Sequence, residues 1–242
     1  LYCCCPEVVR FAVTPNNDVL AMWGLYGLVY TAMGVAHAMQ GPQRKWKPRI
    51  ALLTVALGLT AAAHLLAAMF GLLAALVLML YLAERRRSYV MQILVFSAVG
   101  ALVILFGFYG FRLGPFSYVF TGGAGRFWFS LAATKAFLSD ATNAPIAVAM
   151  GVAAVLYVGV RRRRYFGNTV PLVMAALLFP LMAPQLVMTP WLWALPFLFT
   201  FLGGVFSDVF ESRHRKLFLG LAGMVLFSQA LVCLTALPSI AK

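Results

Sequence analysis

Acidic side chains are scarce in this sequence: six Asp and Glu stand among 242 residues, against 19 Lys and Arg. That scarcity leaves few carboxylates for general acid–base work. Histidine is nearly missing too, with His37, His64 and His214 only, so there is no Ser/His/Asp set. Cysteine is confined to Cys3, Cys4, Cys5 and Cys233. Adjacent cysteines bridge one another only under strain, and no His or Cys follows at metal-ligand spacing. These thiols therefore read as structural or lipid-modified, and the chain offers neither a metal cluster nor a self-evident catalytic centre. No cofactor is expected. Also missing is any polar stretch long enough to form a separate soluble domain.

What fills the chain is apolar. Hydrophobic residues make up 63% of it and charged ones 10%, far from the composition of soluble domains. The sequence predicts an all-α, polytopic transmembrane helical bundle, one integral membrane domain over residues 1–242. A net charge of +13 would suggest nucleic acid in a soluble protein. Here the cations are grouped between apolar runs, at 44–49, 85–87, 161–164 and 213–216. They read as a topology signal and as attraction to anionic headgroups, not as a nucleic-acid surface.

The most informative apolar run extends from Ile50 to Ala83, 34 residues, with Arg44, Lys45, Lys47 and Arg49 before it and Arg85, Arg86 and Arg87 after it. As one straight helix it would span about 51 Å at ~1.5 Å per residue, whereas the hydrocarbon layer is about 30 Å thick. One span would also place a basic cluster on each side of the membrane, against the positive-inside tendency. A helical hairpin turning between His64 and Gly71 removes both objections. It puts residues 44 and 86 in the same compartment.

Taken in order, residues 1–18 are a polar lead-in ending in the turn and N-cap residues Thr14, Pro15, Asn16, Asn17 and Asp18. A helix follows over about 19–39, then hairpin arms over about 50–63 and 70–83, then a helix over about 89–110. Residues 111–144 are too polar to span and too aromatic for a solvated loop. They read as an outer interfacial loop with an amphipathic helix over about 126–138. Further spans are expected at about 145–160, 170–183, 190–208 and 217–237, with Trp191 and Trp193 at the outer interface of the third of these. That makes about eight membrane segments, with both termini outside. Leu1 is not Met and no signal-peptide pattern follows it, so the chain is expected to be part of a longer polypeptide.

Charged or titratable groups at the edges of apolar segments are functional candidates. Asp18 serves either as a helix N-cap favoured by the dipole or as a general base, and Asp140 has the same two readings. His64, at the hairpin tip, either binds a phosphate or caps the turn. Arg112, Arg126 and Lys135 either hold an anion or snorkel to headgroups. The run Thr121-Gly122-Gly123-Ala124-Gly125-Arg126 could form a backbone nest for phosphate oxygens, although it fits neither the P-loop nor the dinucleotide pattern.

The stretch Thr14-Pro15-Asn16-Asn17-Asp18, with Ala56-Leu57-Gly58-Leu59-Thr60-Ala61-Ala62-Ala63-His64 after the basic loop, resembles the GT-C superfamily of membrane glycosyltransferases. That family includes protein O-mannosyltransferases and the aminoarabinose transferase of lipid A. The resemblance extends by pattern over about residues 8–237. In many members the second stretch ends in Lys where this chain has His64, which keeps a cation but makes it pH-dependent. The family's catalytic carboxylate lies in a first outer loop that would precede Leu1.

The resemblance implies the C-terminal transmembrane part of an enzyme moving a sugar from a polyprenyl-phosphate carrier to an acceptor on the outer face. It implies a bacterial inner-membrane setting, membrane lipids and the carrier as partners, and Asp18, His64, Arg112, Arg126 and Lys135 as the carrier-phosphate residues. Two alternatives stand beside it. One is a non-catalytic subunit of a larger membrane complex, suggested by the missing catalytic set and the Phe, Trp and Gly faces suited to close packing. The other is a transporter module, which the near absence of charges within the spans disfavours.

Overall fold

A computed structural model describes residues 2–13, 17–42, 45–83, 86–122, 128–160, 166–182, 190–211 and 215–240. Among these residues the structure is helical apart from one two-residue antiparallel ladder. Six helical stretches are long and apolar enough to cross a membrane: 17–39, 65–82, 87–108, 141–158, 191–210 and 215–236. The fold is thus that of a multi-pass helical membrane protein. Of the eight expected segments, two fall short of that criterion. The stretch 46–63 opens on the polar turn Trp46-Lys47-Pro48-Arg49, and the apolar stretch 169–178 is short. The chain divides into two compact units, residues 17–126 and residues 1–16 with 127–242.

The first unit is built on α2 (Asn17–Met39), α3 (Trp46–Ala63), α4 (Leu65–Leu82) and α5 (Arg87–Phe108), followed by α6 (Leu113–Gly122). The long apolar run does fold back on itself. α3 lies antiparallel to α2, with Arg49 Nη1 donating to Gly34 O at 2.8 Å near one end and Gly24 facing Thr60 towards the other. α4 then returns parallel to α2: Gly71 packs on Leu25 and Leu28, and Gln40 Nε2 donates to Leu82 O at 3.3 Å.

The turn is shorter than expected. It is a single extended residue, His64 at φ −160°, whose N–H donates to Thr60 O at 2.8 Å and whose carbonyl accepts from Ala68 N at 3.2 Å. One residue suffices because the amide and the carbonyl at the break are both satisfied by the helices they leave. Gly71 is not part of the turn. It lies inside α4, where its missing side chain makes room for two leucines of α2.

The basic ends of the hairpin meet at one end of this unit. Arg86 Nη1 donates to Gly41 O at 3.1 Å, and its guanidinium lies 5.0 Å from the Trp46 ring centroid. Trp46 Nε1 also donates to Gly41 O at 3.4 Å, and the Trp46 and Tyr89 rings meet edge to face at 5.8 Å. α5 runs away from this end alongside α3, with Gly58 against Ile104 and Gly100 against Thr54. It stops where Gly110 and Phe111 take positive φ, 63° and 59°. There Phe111 N donates to Phe106 O at 3.0 Å, closing the last turn.

Ala32, Ala36, Ala61, Ala68, Ala75 and Ala101 face inward together with Leu25, Leu28, Leu53 and Met79, while Leu52, Leu59, Leu73, Val77, Phe96 and Val103 are exposed. That arrangement suits a hydrocarbon surround, where small residues let helices approach and large ones face lipid.

The second unit holds α1 (Pro6–Val13), β1 (Trp128–Phe129), α7 (Leu131–Ser139), α8 (Ala144–Val155), α9 (Phe166–Leu178), β2 (Leu181–Met182), α10 (Leu195–Phe210) and α11 (Arg215–Ile240). β1 pairs with β2, Trp128 opposite Met182, and Ser130 N donates to Pro180 O at 2.7 Å. That pairing fixes where the expected amphipathic helix begins: it starts at Leu131, with the Ser130 side chain capping Ala132 N at 3.2 Å. Trp191 and Trp193 are buried. The Trp191 ring lies 5.1 Å from Phe137, which also meets Phe179 at 5.2 Å, so these rings build the unit's core. α8 ends in a π turn over 156–160, where the Tyr157 hydroxyl and Thr169 Oγ1 lie 2.6 Å apart.

Candidate functional site

The antiparallel register of α2 and α3 decides which of the candidate residues meet. With Gly24 against Thr60, about one further turn on each helix brings the start of α2 towards the hairpin tip. Asp18 sits in the first turn of α2, is 5% exposed, and lies within electrostatic range of the His64 imidazole. Asp18 is therefore inside the helix, where the dipole favours a negative group. The His64 side chain makes no capping bond to α4.

An apolar groove of about 160 Å³ begins beside this pair. It is lined by Leu57, Ala61 and Leu65 at the tip and continues past Ala68, Met69, Leu102 and Leu105 between α3, α4 and α5. A buried carboxylate and a half-buried imidazole near a hydrocarbon-lined groove offer a polar end and an apolar end, as a polar-headed lipid does.

The other candidates are not gathered in this way. Arg112 lies just beyond the end of α5, at the same end of the first unit as the hairpin tip, and is exposed. Lys135 is exposed on α7 in the second unit. Arg126 lies outside the described residues, as do Gly123 to Gly125 of the proposed nest, Thr14 to Asn16, Arg44, Arg85, Arg161 to Arg164 and Arg213 to His214. Asp140 is a cap: its carboxylate accepts from Thr142 N at 2.9 Å and from Thr142 Oγ1 at 2.8 Å. Among the described residues no group of three or more His, Cys, Asp and Glu is placed to hold a metal ion.

Two polar positions escaped the sequence reading. Ser97 is fully buried in α5, and its hydroxyl makes no hydrogen bond to the rest of the described protein; its only signal is that it interrupts an apolar run. Thr60 is fully buried as well, with Oγ1 bonded back to Ala56 O at 2.6 Å, which spares the core an unmet donor. The chain matches no family model, and neither a curated protein nor a solved structure matches it.

Proposed function

We propose that this chain is the membrane-embedded part of a glycosyltransferase that moves a sugar from a polyprenyl-phosphate carrier to an acceptor on the outer face. The observation that carries the reading is the Asp18–His64 pair at the hairpin tip with the apolar groove running away from it. The groove would take the first isoprene units and His64 would donate to the phosphate, with Asp18 holding the imidazole. Arg112 would supply charge at the same end. In this reading all eight segments are embedded, the basic loops face the cytoplasm of a bacterial inner membrane, and both termini lie outside.

Binding of a fluorescent polyprenyl phosphate to the chain in lipid nanodiscs tests it. A hydrogen bond to a charged group contributes about 1.5–3 kcal/mol, so His64→Gln and Arg112→Gln should each weaken binding by roughly 10- to 100-fold. Unchanged affinity in both variants would remove the site.

A second reading, a non-catalytic subunit of a larger membrane complex, is favoured by α11. Leu217, Leu219, Met224, Phe227 and Leu234 are all exposed along it, a continuous apolar surface available to a partner helix. Extraction in native lipid as a lone monomer would count against that reading.

A further inference from the structure

The four cysteines, uninformative in sequence, are drawn together in the second unit. Cys3 and Cys4 lie in the short 3-10 turn Tyr2–Cys4, which precedes α1 and packs against α11. Gln229 of α11 donates from Nε2 to the Cys4 carbonyl at 3.0 Å, a contact across 225 residues of sequence. Cys233 is the residue one helical turn further along α11, on the same face as Gln229. The Gln229 bond therefore holds the Cys4 backbone beside the part of α11 that carries Cys233.

The choice among the three N-terminal cysteines follows from their placement. Cys3 is exposed, and Cys5 follows the turn and precedes α1. Cys4 is the half-buried one whose backbone Gln229 grips.

We propose that Cys4 and Cys233 form a reversible disulfide that staples the N-terminal turn to the last helix. Both S–H bonds break and one S–S bond forms. The two protons and two electrons pass to a disulfide donor, a low-molecular-weight disulfide or an oxidised dithiol protein, which leaves as two thiols. The staple would close nearly the whole chain into one loop, the situation in which a cross-link constrains the unfolded chain most. It is independent of the transferase reading.

The test is thiol counting on the full chain in detergent. The reduced protein, denatured, should take four maleimides, one for each cysteine. After incubation with oxidised glutathione and removal of adducts by mild exchange, it should take two, and digestion should yield one peptide pair linked through residues 4 and 233. The double variant C3S/C5S, which keeps the pair, should lose both of its remaining thiols under the same treatment. Four maleimides retained after oxidation, or a link through Cys3 or Cys5 in place of Cys4, would overturn the proposal.

Discussion

Gly24→Leu should be the most damaging single substitution in the first unit, lowering stability by about 3 kcal/mol or more. Even a bare Cβ at position 24 would lie 2.6 Å from Thr60 Oγ1, 3.1 Å from Thr60 Cβ and 3.2 Å from Thr60 Cα. The last of these is backbone, so a rotamer change cannot clear the clash. Nor is the Thr60 hydroxyl free to swing away, being buried and bonded to Ala56 O at 2.6 Å. α2 and α3 would have to separate along the interface that defines the hairpin.

Gly71→Ala should cost less, because its new methyl meets the mobile ends of Leu25 and Leu28. Gly27→Ala, with nothing within 4 Å, should be neutral or stabilising by up to about 1 kcal/mol through helix propensity. Unfolding titrations in mixed micelles would rank the three. An equal loss for Gly24→Leu and Gly27→Ala would show that the two helices do not touch there.

Arg86→Ala should be the second-largest loss, about 2–3 kcal/mol, since it removes two contacts at once. The half-buried guanidinium donates to Gly41 O at 3.1 Å, a charged hydrogen bond contributing about 1.5–3 kcal/mol. It also lies 5.0 Å from the Trp46 ring centroid, a cation–π contact contributing about 0.5–1 kcal/mol. Arg86→Lys should recover only part of this, because an ammonium cannot reach the carbonyl and lie flat on the ring together. Arg87→Ala, one residue on and exposed, should stay within about 0.5 kcal/mol. If the two alanine variants unfold at the same denaturant concentration, the basic clusters act as topology signals only and not as a clasp.

The hairpin was legible in the sequence because it rests on length and charge. A run too long for one span, with cations at both ends, has few ways to lie in a bilayer. The position of its turn was less legible. Gly71 attracted the turn as a helix-loosening residue, yet its use is steric, and only the three-dimensional register of α2 reveals that Leu25 and Leu28 fill the space.

Which faces are buried was not legible at all. In a helix apolar all round, polarity carries no directional signal: leucines lie on both sides, Leu25, Leu28 and Leu53 inside and Leu52, Leu59 and Leu73 outside. In the second unit the start of α7 is set by Trp128 and Phe129 pairing with Leu181 and Met182, partners far away in sequence. The same distance hid the burial of Trp191 against Phe137. For the candidate site, Asp18 and His64 were each chosen alone, as helix-end and hairpin-tip residues. Their meeting depends on the α2–α3 packing, and so does the groove beside them. Nothing in the spacing of the cysteines announced that the turn carrying Cys4 is held against α11 by Gln229.

Labelling of substituted cysteines with a membrane-impermeant maleimide, in a chain whose native cysteines are replaced by serine, tests the fold-back most directly. With single cysteines at positions 45, 87 and 112 in sealed vesicles, 45 and 87 should be modified from the same side and 112 from the other. Modification of 45 and 87 from opposite sides would contradict the hairpin, and with it the packing of α2 against α3 and α4 and the candidate site at residue 64.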